Sequence, residues 1–249
     1  MNNRNIVIIG ATSAISKHCA KIWVSDSNVK LTLVGRDIDR LNQLAADLKI
    51  RGLTDNIESI SADFLDPLSI KETVRLITSK RKVDLVLITQ GTLSPQSLYQ
   101  EDLQLLGNSI SINAISPILF AEEFANSFEK TGIGSIAIIG SVAGDRARKT
   151  NYIYGAGKNM LDFFCSGLRH RFTGSKVKIM LIKPGPTATP MTESLNIDPQ
   201  KLAKVEDVAK SIVNAIEKGK NLSYVPGKWK IIMFVIRNIP DFIFKRLYI

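Results

Sequence analysis

Runs rich in apolar and β-branched residues recur along the chain at 5–9, 30–34, 57–62, 85–89, 135–139 and 177–182, with a shorter one at 222–225. Most lack the polar alternation of a strand with one wet face, and they read instead as parallel strands buried on both sides. Between them the apolar positions take helical spacing over 16–25, 38–49, 67–79, 107–130, 152–173 and 205–218. Strand and helix in alternation predict an α/β fold, a single doubly wound, Rossmann-like parallel sheet of about seven strands flanked by helices. No repeat, low-complexity tract or linker divides residues 1–227, and 228–249 form a hydrophobic, basic C-terminal tail.

Composition narrows the class. At 249 residues, with 45% hydrophobic and 22% charged, the chain suits one globular domain with a substantial core. Cys19 and Cys165 lie on predicted helices far apart in sequence, which favours packing roles in a reducing compartment over a disulfide framework. The opening Met-Asn-Asn-Arg-Asn leads straight into a strand, so no signal peptide is expected and a cytoplasmic location fits. No unbroken apolar run approaches the ~20 residues of a bilayer span. The net charge of +10 suits an anionic partner. Without zinc-finger spacing, an RNA-binding aromatic motif or a long basic arm, nucleic acid is not expected.

Three local patterns carry chemistry. The first strand runs into Gly10-Ala-Thr-Ser-Ala-Ile-Ser16 at the start of a helix, where amides and the dipole end favour a pyrophosphate. Of the three glycines of the dinucleotide fingerprint only Gly10 is present, with Ala14 and Ser16 at the other places. Tyr154 and Lys158, four apart, share a helix face, so an ammonium beside a phenol is expected to favour the phenolate and lower the phenol's pKa. Ser141 precedes Tyr154 by thirteen residues and follows an apolar strand, which places it at a carboxyl strand end where such sheets bind ligands.

Taken in order, Gly10 to Ser16, Gln90-Gly91, Asn113, Ser141, Tyr154, Lys158 and Pro184-Gly185 resemble the short-chain dehydrogenase/reductase family over about the first 225 residues. The resemblance implies that Tyr154 is the acid/base, that Lys158 grips the nicotinamide ribose and lowers the Tyr154 pKa, that Ser141 polarises the substrate oxygen, and that Asn113 holds a water in a proton relay. It assigns Gly10, Thr12, Ser13, Ile15, Gly91, Pro184, Gly185, Thr187 and Thr189 to the cofactor, together with Tyr154 and Lys158, and gives Asp63 an adenine contact. At the end of the second strand, Gly35 stands where an NAD-specific acid would be and Arg36 follows, which favours NADP(H). Asp37 reads as a helix N-cap. Two departures stand out: Thr89-Gln90-Gly91 replaces the family's Asn-Ala-Gly, and Pro186 stiffens the approach to Thr187. His18 and His170 are isolated, and no metal site follows from them.

The tail is the chain's most individual segment. From Lys228 onward five basic residues (Lys228, Lys230, Arg237, Lys245, Arg246) face one acid, Asp241, among mostly apolar neighbours. Contact with a membrane surface, a roof over the active-site mouth and packing on a partner subunit all remain open. The tail and Val142-Ala-Gly-Asp-Arg-Ala-Arg-Lys149 resemble the decaprenylphosphoryl 2-keto-pentose reductase subgroup of the family. The expected function is therefore NADPH-dependent interconversion of a carbonyl and a secondary alcohol on a small-molecule or lipid-linked substrate, in the cytoplasm or peripherally at the inner membrane face. A 3-oxoacyl-thioester reductase and a non-enzymatic nucleotide-binding protein are the alternatives. Residues 186–204 are expected to form a substrate lid. The resemblance implies a homodimer or homotetramer pairing the helices over 107–130 and 152–173.

Overall fold

The sheet has seven strands in the order β3-β2-β1-β4-β5-β6-β7, every neighbouring pair parallel. They are β1 (Arg4–Ile9), β2 (Val29–Gly35), β3 (Ile57–Ser61), β4 (Leu85–Ile88), β5 (Ile133–Ile139), β6 (Lys176–Pro184) and β7 (Leu222–Val225). The computed structural model describes residues 4–26, 28–193 and 198–247. Strand order reverses between β1 and β4, and a crevice opens there at the carboxyl edge, the place where this topology binds ligands.

The helices are α1 (Ala14–Trp23), α2 (Ile38–Gly52), α3 (Pro67–Lys80), α4 (Gln96–Glu101), α5 (Leu103–Ile110), α6 (Ser116–Thr131), α7 (Tyr152–Arg171), α8 (Pro190–Glu193), α9 (Val205–Glu217), α10 (Lys228–Asn238) and α11 (Asp241–Phe244). One core joins α1, α2 and α9 to the sheet through Cys19, Leu41, Leu48 and Ile212. The other, through Ile77, Phe120, Phe124 and Leu161, joins α3, α6 and α7 to the opposite face. Cys19 and Cys165 are free and buried within these cores, where burial pushes each thiol up to about 12. Asp37 and Asp66 cap α2 and α3 by accepting from first-turn amides.

Three elements differ from the sequence reading. A separate helix, α4, precedes the expected long helix, which starts earlier, at Leu103, and passes through a π-helical turn at Ser111–Ile115. The continuous stretch Leu103–Thr131 is long and apolar enough to cross a membrane by length and composition, although no single apolar run is. It nevertheless packs Phe120, Phe124 and Phe128 beneath the sheet, as a core helix does. The tail, finally, expected only as a hydrophobic, basic segment, is a helix from Lys228 to Asn238 followed by a single turn after Pro240.

Candidate active site

The crevice is a cavity of 430 Å³ running from the end of β2, past the N-terminus of α1, to the first turn of α7. Gly10, Thr12, Ser13, Ile15, Arg36, Gly91, Ser141, Tyr154, Lys158, Pro184, Gly185, Thr187 and Thr189 all line it. The structure thus gathers residues spread over 180 positions of sequence into one groove.

The glycine-poor turn is closed by hydroxyls. Gly10 has φ +79°, and a Cβ there would stand 2.8 Å from the Gln90 amide, so this position requires glycine. Ser13 caps α1 by accepting from Ser16 N–H at 3.2 Å. Ser16, at the place of the third fingerprint glycine, is fully buried, and its hydroxyl donates to Gly10 O at 3.0 Å and clusters with Ser13 and Thr89. Thr89 in turn donates to the Ile9 carbonyl at 2.9 Å. Ser16 and Thr89 compensate each other: a serine where the helix normally approaches through glycine, and a threonine across from it that satisfies the shared hydroxyl network.

At the outer end, Arg36 and Arg40 are both exposed and line the cavity beside Gly35. Arg40 was not foreseen; its signal was its place on the first turn of α2, four residues after Arg36. Asp63 does not reach the wall. Its carboxylate accepts from Leu65 N–H at 2.9 Å in a local turn, and Phe64 and Leu65 line the groove instead.

At the inner end, α7 presents Tyr154 and Lys158 one turn apart, with the Lys158 ammonium 5.8 Å from the centre of the Tyr154 ring. The Tyr154 phenol is hydrogen-bonded to Ser141, which also caps the turn Val142–Gly144 by accepting from Ala143 N–H. Burial pushes the phenol up to about 12, against the opposing pull of Ser141. This reverses the expected lowering by Lys158: the ammonium donates to Ile139 O at 3.1 Å, and burial moves Lys158 itself down to about 8. In the protein alone, desolvation dominates both groups.

Asn113 lies beneath the groove. The π-turn aims its amide at the loop after β4, where it donates to Thr92 O and Ser109 O and accepts from Thr92 N–H. Its side chain is thus a brace behind Gly91, next to Lys158.

The substrate end is walled by Val142, Arg148, Asn151, Pro186, Met191 and Thr192. Behind it lies a charge cluster absent from the sequence reading. Lys183, 1% exposed at the end of β6, donates to both Asp145 and Asp162, and the Tyr224 hydroxyl donates to Asp145 at 2.8 Å. This cluster ties the segment after Ser141 to α7, β6 and β7. Helix α10 closes the same side. A Cβ on Gly185 would overlap the Trp229 indole, Met233 contacts Arg148, and Arg146 bonds to Asp241 and to the Arg237 carbonyl. Of the expected lid, residues 198–204 and 186–193 are described, with Thr187 paired to Ala203; 194–197 lie outside the described residues.

Residues 4–200 match the short chain dehydrogenase family. An uncharacterized oxidoreductase of Streptomyces coelicolor is 26% identical over 249 residues, covering 99% of this chain and 96% of its own. An uncharacterized oxidoreductase of Mycobacterium tuberculosis is 26% identical over 246 residues, covering 97% and 96%. Among solved structures, a short-chain dehydrogenase from Sphingobium yanoikuyae in complex with NADPH superposes with a TM-score of 0.79 at 22% identity, over 96% of this chain and 97% of that one. The bulky-bulky ketone specific alcohol dehydrogenase from Comamonas testosteroni gives 0.79 at 21%, over 97% and 96%. Both show the same fold.

Proposed function

From a chain that belongs to the short-chain dehydrogenase family, and is an oxidoreductase of it, we propose an NADPH-dependent reductase that converts a ketone to a secondary alcohol. The observation that carries this reading is the hydrogen-bonded Ser141 and Tyr154 beside Lys158, at the end of a groove whose other end holds Arg36 and Arg40. The groove fits the dinucleotide. Two guanidiniums suit a ribose phosphate, the Ser13-capped helix start suits the pyrophosphate, and Thr187 and Thr189 stand where a nicotinamide amide would be held. Two structural neighbours, one of them the Sphingobium enzyme, are NADPH complexes and a third holds 5-hydroxy-NADP, which favours the phosphorylated cofactor.

When bound, NADPH supplies a hydride to the carbonyl carbon. The chain's own residues manage the oxygen. Ser141 donates a hydrogen bond to it, and Tyr154, protonated through the working range because its pKa lies near 12, delivers the proton that completes the alcohol. Lys158, once a ribose hydroxyl and a nearby phenol share its surroundings, offers the ammonium that makes this transfer easier. Asn113 holds the loop at Gly91 and, through the water relay its family role implies, returns a proton to Lys158. Tyr154→Phe is the test: NADPH binding should persist while NADPH oxidation by a ketone falls by at least about 10³-fold. Oxidation that survives the substitution would refute the assignment.

A lipid-linked substrate, as in the decaprenylphosphoryl 2-keto-pentose reductase subgroup, is the finer reading. It rests on the tail. Helix α10 turns Trp229, Ile232, Met233 and Ile236 toward the domain and leaves Ile231, Phe234 and Val235 exposed, with Lys228, Lys230 and Arg237 around them. One helix thereby roofs the substrate mouth and offers an apolar, cationic face to an anionic membrane surface. Self-association through α6 and α7 is the further proposal, supported by the exposed Ile115 just before α6 and the exposed Met160 and Phe163 on α7.

A further inference from the structure

We infer that Arg148, together with Asn151, recognises an anionic group next to a hydroxyl on the ketone substrate, so that the natural substrate is a phosphorylated or carboxylated hydroxyketone rather than a neutral one. The inference rests on the reductase reading above and adds the chemistry of the substrate.

The groove carries cations at both ends. Arg36 and Arg40 belong to the cofactor end, whereas Arg148 lines the opposite end with Ser141, Asn151 and Tyr154. The neighbouring Arg146 is fully engaged by Asp241, the Arg237 carbonyl and the Phe244 ring. Arg148 is not. Its Nε is buried without a hydrogen-bond partner, and its Nη2 approaches the Met233 sulfur, a weak acceptor, at 3.7 Å. The carboxylate electrostatically closest to it, Asp145, already accepts from Lys183 and Tyr224. A half-buried guanidinium short of an anion is costly, and desolvation here lowers the Arg148 pKa from its ordinary value. Asn151 Oδ1, on the same wall, is also buried and receives no donor. One wall therefore holds an unanswered cationic donor, Arg148 Nε, and an unanswered acceptor, Asn151 Oδ1. An oxyanion and an adjacent hydroxyl answer both.

The site is also held in shape, which separates it from a loose surface arginine. Lys183 anchors Asp145 three residues before Arg148, Met233 of α10 backs the guanidinium, and Asn151 N–H bonds to the Arg148 carbonyl at 3.1 Å. A neutral ketone leaves the guanidinium unpaired, and sites built to bond a polar group reject analogues lacking it.

The test measures binding by calorimetry to the NADP+-saturated protein, which has no hydride to transfer, with dihydroxyacetone, dihydroxyacetone phosphate and palmitoyl-dihydroxyacetone phosphate as probes. Wild type should bind dihydroxyacetone phosphate about 10- to 100-fold more tightly than dihydroxyacetone, the range of a charge-assisted bond. Arg148→Met should collapse that ratio toward one while NADPH still binds, Arg148→Lys should keep part of it, and Arg75→Met, which removes a charge on exposed α3, should keep it whole. The palmitoyl probe keeps the phosphate but esterifies the hydroxyl, so binding tighter than dihydroxyacetone phosphate identifies a lipid-borne phosphate, and weaker binding that stays above dihydroxyacetone a soluble one whose hydroxyl meets Asn151; both support the anion site. Equal binding of the charged and neutral probes by wild type, or a ratio that survives Arg148→Met, overturns it. Failure of NADPH to bind, or ketone reduction that survives Tyr154→Phe, would instead strike the reductase reading beneath it.

Discussion

Replacing Lys158 by methionine should stabilise the nucleotide-free protein at neutral pH while abolishing its activity. Lys158 is 4% exposed, and burial lowers its pKa from 10.5 to about 8. That difference corresponds to about 3 kcal/mol of unfavourable folding free energy whenever the side chain is charged. Methionine fills similar space without charge but gives up the bond to Ile139 O, worth about 1 kcal/mol. The net gain is roughly 2 kcal/mol, or on the order of 4–8 °C in Tm for a chain of this size. The pH dependence is the sharper signature. Because the folded pKa lies below the unfolded one, the unfolded chain binds more protons between about 8 and 10.5, and wild-type stability rises with pH through that window. The advantage of the variant should therefore be full below pH 7.5 and nearly gone by pH 9.5. Thermal melts of both proteins between pH 6.5 and 9.5 measure it directly. A variant less stable than wild type at pH 7, or a gap that does not close with pH, would refute the claim that a desolvated ammonium is held here for function.

Arg36→Ala and Arg40→Ala should each weaken NADPH about tenfold or more and leave NADH nearly unaffected, read by nucleotide fluorescence; loss of both nucleotides alike would mean that neither guanidinium meets the 2′-phosphate. Asp145→Asn removes one counterion of the buried Lys183 and should cost about 3 kcal/mol in denaturant unfolding, whereas a loss below 1 kcal/mol would show that Asp162 alone suffices. Ile231→Ser with Phe234→Ser should abolish co-sedimentation with vesicles rich in anionic lipid while leaving the melting temperature within a few degrees, since both side chains face away from the domain. Wild type that fails to sediment with such vesicles would remove the membrane reading of the tail.

The alternation of apolar runs with helical spacing was enough for the parallel sheet, because strands buried on both faces must be apolar and their crossovers must be amphipathic. The clustering of Ser141, Tyr154 and Lys158 in the groove was legible for a similar reason: Tyr154 and Lys158 are placed by helix periodicity and Ser141 by the end of a strand, which are local rules. Sequence could not show the balance of desolvation against charge that raises Tyr154 rather than lowering it, since burial is a property of everything packed around a group. Nor could it join Ser16 to Thr89, Lys183 to Asp145, or Trp229 to Gly185, pairs separated by 38 to 73 residues and brought together only when β1, β4, β6 and α10 converge on one edge of the sheet. Local spacing determined which residues could meet at the end of the groove, and tertiary packing decided their burial, their braces and the wall that surrounds them.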